Sequence, residues 1–106
     1  LIPGSMGTAS WILLGQPNSM DLSFGSTAHG AGRTMSRSKA RRNFTESDVK
    51  QSLNSKGILI KAPTRDGIIE ETPQAYKDVD AVVDVSHNLG IATKVAKLIP
   101  VGVIKG

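Results

Sequence analysis

The sequence predicts one small domain in which strands and helices mix, and three observations lead there. Its 106 residues amount to a single domain at the usual ~150 residues each, a size that buries somewhat under ~70% of the unfolded surface. Hydrophobic residues make up 39% and charged residues 21% of the chain, and mean hydropathy is -0.12. These are globular values, unlike those of a disordered tail or a membrane protein. Apolar residues also alternate in some stretches and recur at helical spacing in others.

Residues 8 to 14, with Trp11-Ile12-Leu13-Leu14, read as a strand that stops at the turn-forming Gly15-Gln16-Pro17-Asn18. Met20 to Phe24 alternates apolar and polar, so a hairpin partner strand is expected there. Gly25 to Gly32 is small, polar and glycine-rich, a loop whose backbone can approach another group closely. Thr34 to Arg42 reads as a helix docked through Met35 and Ala40. Thr45, with Asp48 three residues on, opens a second short helix through Val49 and Leu53, with Asp where Glu or Gln would complete a capping box. Gly57 to Lys61 reads as a short buried strand. A polar connection from Ala62 to Thr72 follows, with Ile68-Ile69 as a possible extra strand. Pro73 opens a turn or short helix through Tyr76. Val79, Val82 and Val83 stand at helical spacing before Gly90, a C-terminal signal, so Asp78 to Asn88 is a helix. Val95 to Ile104, interrupted by Pro100, is an edge or terminal strand.

The chain excludes several chemistries. It has no cysteine, so disulfides, thiolate zinc sites and cysteine nucleophiles are ruled out within it, and a reducing cytoplasmic setting is compatible. The longest apolar run, Trp11 to Leu14, falls far short of the ~20 residues of a membrane span, and no basic segment precedes Leu1-Ile2-Pro3 as in a secretory signal. A start at Leu1 rather than Met is expected of a piece of something longer. Gly30-Ala31-Gly32-Arg33-Thr34-Met35 has Met where a dinucleotide fingerprint needs its last glycine, and no P-loop is present. His29 and His87 stand far apart without partners at metal spacing, so no complete metal site is expected within the chain.

Charge is unevenly placed. Arg33, Arg37, Lys39, Arg41 and Arg42 lie within ten residues with no acid among them, while the other 8 basic and 9 acidic residues sum to -1. Such a segment is either a phosphate-facing surface or a plain solvated helix. Just before it, His29 sits among glycines that leave an imidazole sterically open, with Arg33 and Arg37 able to hold phosphate oxygens. A neutral imidazole is a competent nucleophile toward phosphorus; the plainer alternative is a histidine that merely hydrogen-bonds in a turn. Pro3-Gly4-Ser5-Met6-Gly7 is a second candidate, either an anion- or base-binding loop or an ordinary turn. Tyr76 would stack on a base or pack half-buried. Ser10 reads as a strand residue, Lys105 as a terminal charge, and His87 as structural, near a helix C-terminus that would favour its protonated form.

Pro-Gly-Ser-Met-Gly at 3 to 7, Phe24-Gly-Ser-Thr-Ala-His-Gly-Ala-Gly-Arg33, Glu71-Thr-Pro-Gln-Ala-Tyr-Lys-Asp-Val-Asp80 and Val103-Ile104-Lys105-Gly106 together resemble the carboxy-terminal part of the RtcB family of tRNA-splicing RNA ligases. The resemblance covers essentially the whole chain. It implies an α+β fold, a layered central sheet with peripheral helices, in which residues 1–106 are the catalytic and guanylate-binding portion of a longer ligase. It further implies GTP and manganese dependence, and the joining of RNA 2',3'-cyclic phosphate or 3'-phosphate ends to 5'-hydroxyl ends in tRNA splicing and RNA repair. His29 resembles the residue that carries GMP. Pro3, Gly4, Ser5, Met6, Ser10, Gly30, Ala31, Gly32, Tyr76 and Lys105 resemble the guanylate pocket, Tyr76 stacking and Lys105 reaching the base. Arg33 and Arg37 resemble the arginines at the RNA phosphate. Manganese ligands would come from outside this chain, so the expected partners are RNA (tRNA halves or broken ends) and the amino-terminal portion. The expected setting is the cytoplasm, without a membrane. The alternative is a non-catalytic RNA-binding module that uses segment 33–42.

Overall fold

A computed structural model describes residues 1–105 and is α+β. Its strands form two small sheets. Strand β1 (Ile2–Pro3), β2 (Ser10–Gly15) and β4 (Ala92–Leu98) make an antiparallel sheet in the order β1-β2-β4. Strands β3 (Leu59–Lys61) and β5 (Gly102–Ile104) pair in parallel. Pro100 lies between β4 and β5, so the single strand expected over Val95 to Ile104 is two strands in different sheets. Pro has no N–H for a ladder, which makes it a natural point for the chain to leave one sheet.

The partner of β2 is β4, paired from Ser10↔Leu98 to Gly15↔Ala92 with an irregularity at Ile12/Leu13. The expected hairpin partner, residues 20 to 24, is instead the short helix α1 (Ser19–Ser23). None of its residues is buried, so no core-facing side enforces an alternating pattern. Ile68 and Ile69 likewise lie in a helix, α4 (Arg65–Glu70), started by the Thr64 side chain, which accepts from Gly67 N. Both isoleucines are buried, which a helix achieves for adjacent residues that straddle its inner face. Strand β3 is short, as expected, but Leu59 is exposed and the buried residue is Ile58 just before it.

Other elements match their signals. Helix α2 (Arg37–Asn43) docks through fully buried Ala40, while Met35 precedes it and is half-buried. Thr45 and Asp48 form a complete capping box on α3 (Glu46–Asn54), so Asp serves where Glu is usual. Pro73–Ala75 is a 3-10 turn. Helix α5 (Val79–Asn88) is closed by Gly90 at φ 72°, where only glycine is unstrained.

Two hydrophobic clusters hold the molecule together. One joins Ile2, Ala9, Ala31, Val79 and Val83, packing α5 on the antiparallel sheet with Trp11 and Leu13 alongside. The other joins Met6, Val49, Leu53, Ile58 and Ile68 beneath α3 and α4. The segment from Ile2 to Met6 therefore begins in one core and ends in the other.

Candidate functional site

The loop carrying His29 is stitched down on both sides by backbone. Ala31 N donates to Pro3 O (2.9 Å), Lys77 N to Gly32 O (2.9 Å) and Thr34 N to Ala75 O (2.8 Å). Arg33 and Tyr76 form an antiparallel bridge. Gly32 has φ +79°, and a Cβ on Gly30 would lie 3.3 Å from Pro3 O, so the tight approach of the loop to β1 depends on small residues. Ala31 is anchored in the core. His29 itself is exposed, and among the described residues its imidazole makes no hydrogen bond.

The Pro3–Gly7 segment is equally constrained. Gly4 N donates to Ala9 O (2.9 Å), and a Cβ at Gly4 would collide with that oxygen. Ser5 N donates to Thr8 Oγ1 (2.9 Å), and Ser5 Oγ accepts from Gly7 N (3.3 Å) while bonding Thr8 Oγ1 (2.9 Å). Most of the donors that make this loop a candidate anion cradle are thus spent inside the turn. Met6 points into the second core.

Two clefts meet here. The first, about 430 Å³, is lined by Pro3, Gly4, Ser5, Met6 and Ser10 on one side, and by Glu71, Tyr76, Lys105 and the β5 segment on the other. The second, about 780 Å³, is lined by the His29–Gly32 loop with Ala28, Lys77 and Val82, together with Pro3, Gly4, Tyr76 and Lys105. Pro3, Gly4, Tyr76 and Lys105 border both. All eleven residues expected in the nucleotide pocket line one or both clefts. Arg33 and Arg37 line neither.

Behind Tyr76 lies a residue the sequence reading did not single out, Glu71. Its Oε2 accepts from the Tyr76 hydroxyl and from Lys105 Nζ (3.4 Å), and its Oε1 accepts from Arg33 Nη1 (3.4 Å). Arg37 Nε is 3.7 Å from the same Oε1. Partial burial works against the charge, but the Tyr76 hydrogen bond and the positive Lys105 and Arg33 outweigh it and hold the carboxyl below its usual range. The Tyr76 phenol is pushed up, first by burial and then by its bond to the carboxylate. Arg33 also donates to Met35 O (3.0 Å), Tyr76 Oη (3.1 Å) and Glu70 O (2.6 Å), and its guanidinium lies 4.9 Å from the Tyr76 ring centroid. Most of its N–H groups are therefore engaged within the protein. Arg41 pairs with Glu70, so the basic segment is partly neutralised by two acids from α4 and its end.

Lys105 is held rather than frayed, its N donating to Lys61 O (2.9 Å); Gly106, the last residue of its motif, lies outside the described residues. His87 Nδ1 accepts from Lys94 N (3.0 Å), a structural contact at the end of α5. Among the described residues no group of three His, Cys, Asp or Glu is placed to hold a metal ion. No helix among them is long and apolar enough to cross a membrane.

A family model described as tRNA-splicing ligase RtcB matches residues 1–106. The chain belongs to the RtcB family. Within it, the chain is 57% identical over all 106 residues to the tRNA-splicing ligase RtcB of Nanoarchaeum equitans, covering 22% of that protein. It is 51% identical to that of Methanococcus maripaludis, again over the whole chain and 22% of the relative. It is 50% identical to the RNA-splicing ligase RtcB of Mycobacterium tuberculosis, of which it covers 24%. The chain thus spans about a fifth to a quarter of the length of these RtcB relatives.

Proposed function

We propose that these residues are the carboxy-terminal catalytic and guanylate-binding portion of a cytoplasmic, GTP-dependent RNA ligase. The ligase joins RNA 2',3'-cyclic phosphate or 3'-phosphate ends to 5'-hydroxyl ends in tRNA splicing and RNA repair. The observation that carries this is the convergence of the open His29 loop with Tyr76, Lys105 and the Pro3–Met6 turn on two adjoining clefts, in a chain of the RtcB family.

In this reading an imidazole nitrogen of His29 attacks the α-phosphorus of GTP. A P–N bond forms, the bond to the β-phosphate oxygen breaks, pyrophosphate leaves and the ring sheds its other N–H proton. The covalent step divides one hard phosphoryl exchange into two easier ones. An oxygen of the RNA 3'-phosphate then takes the GMP from His29, and the 5'-hydroxyl oxygen displaces GMP to close the chain. Tyr76 packs on the base, Lys105 reaches its edge, and Arg37, the more exposed of the two arginines, meets the RNA phosphate with Arg33 behind it. Among the described residues no three acid or imidazole groups are gathered as a manganese site would need. Ligands for that metal belong to the rest of the polypeptide, and the isolated chain is expected to take up GMP poorly and to ligate no RNA.

The experiment is intact-protein mass after incubation with GTP and manganese, on this chain alone, on the chain completed by the amino-terminal portion, and on His29→Ala. A GMP-sized, acid-labile adduct that needs His29 is expected in the completed protein. A completed, folded protein that never acquires it would leave a non-catalytic RNA-binding role for segment 33–42, with salt-sensitive affinity that depends on Arg37 and ignores His29.

A further inference from the structure

Glu71 stands where four side chains from separate parts of the sequence meet. Tyr76 and Lys105 border both clefts, whereas Arg33 and Arg37 approach from the loop and helix after His29. Three cations gathered around one point repel one another unless an anion stands between them. Glu71 is that anion, with its side chain only 18% exposed. Its backbone is fixed at the end of α4, next to buried Ile68 and Ile69, and Thr72 beside it is fully buried. One carboxylate oxygen faces Tyr76 and Lys105, and the other faces Arg33 and Arg37.

We propose that Glu71 is a positioning residue that sets the Tyr76 ring and the Lys105 ammonium for the nucleobase and, through its other oxygen, registers Arg33 and Arg37 against the same frame. The inference rests on the functional reading above, which gives Glu71 no role. Glu71 touches neither the phosphorus nor the nucleophile in this scheme. It acts by fixing the angle and position of groups that do, so its loss weakens nucleotide capture more than it slows the chemistry at His29.

The test uses the protein completed by the amino-terminal portion, with GTP and an RNA bearing a 3'-phosphate as probes. Glu71→Gln keeps the length and one accepting oxygen but drops the charge that gathers Lys105 and Arg33. It is expected to raise the GTP KM for adduct formation about tenfold or more while changing the maximal rate much less. Glu71→Asp, which keeps the charge on a shorter stem, is expected to recover part of the loss. A GTP KM for Glu71→Gln within about twofold of wild type overturns the proposal, as does a loss that merely follows the folded fraction. Should Glu71→Gln not fold, Tyr76→Phe carries the test, since it removes only the hydroxyl held by the carboxylate and leaves the ring. A severalfold higher GTP KM supports the proposal, and an unmoved one refutes it. Wild-type protein that forms no adduct at His29 fails the functional reading itself; wild-type adduct with indifferent Glu71 and Tyr76 variants fails this inference alone.

Discussion

The two histidines of this chain lie 58 positions apart and end in opposite situations. His87, at the last turn of α5, uses its Nδ1 lone pair to accept the Lys94 amide, closing the turn from α5 into β4. His29, in a loop pinned by its neighbours' backbone, makes no side-chain hydrogen bond among the described residues and faces a cleft. The fold fixes the frame around His29 and leaves its ring alone, whereas it consumes the ring of His87 to hold its own parts together. A nucleophile needs a free lone pair, and the role proposed for His29 asks for the ring that the fold leaves unbound among the described residues.

The sharpest way to break the comparison is to exchange the losses. His29→Ala should abolish the GMP adduct in the completed protein, read by intact mass, while leaving the unfolding midpoint in denaturant unchanged. His87→Ala should do the reverse. Next in size is the frame: Gly4→Ala places a methyl against Ala9 O, Thr8 and Val79 and should cost about 3 kcal/mol, measured by denaturant unfolding. A cost below about 1 kcal/mol would show that the loop under His29 can give way. For His87→Ala itself, one lost hydrogen bond amounts to about 1 kcal/mol in the same assay, with adduct yield unaltered.

The smallest effect is titration. Glu71 has its folded pKa depressed, so it binds protons more weakly folded than unfolded. The stability it contributes is present above the unfolded value of about 4.3 and fades as pH falls through that value toward the lower folded one. Glu71→Gln should flatten the acid side of the stability profile in unfolding measurements between neutral and acid pH.

How much of this the sequence disclosed follows from how local each signal is. The Thr45 cap, the Gly90 stop and the Pro73 turn are decided within a few residues and were legible. The open ring of His29 was legible too, because its flanking glycines are adjacent in the chain. Residues 20 to 24 misled because alternation over five positions carries little information when none of them is buried. The pairing of β2 with β4 joins residues about eighty positions apart, and nothing local announces it. Counting charges within residues 33–42 found the basic run but not its partial neutralisation, since Glu70 and Glu71 reach it from α4 only after folding. Glu71 was hidden for the same reason: a carboxylate becomes a hub only where Tyr76, Arg33 and Lys105 have been brought to it.

The short segment from Ile2 to Met6 belongs to both hydrophobic cores, and both clefts border it. A molecule filling those clefts would act as a wedge driven into a joint, stiffening the two packed clusters that this segment links. Nucleotide capture should then slow amide exchange not only beside the ligand but also in α3 and α5, on opposite sides of that joint.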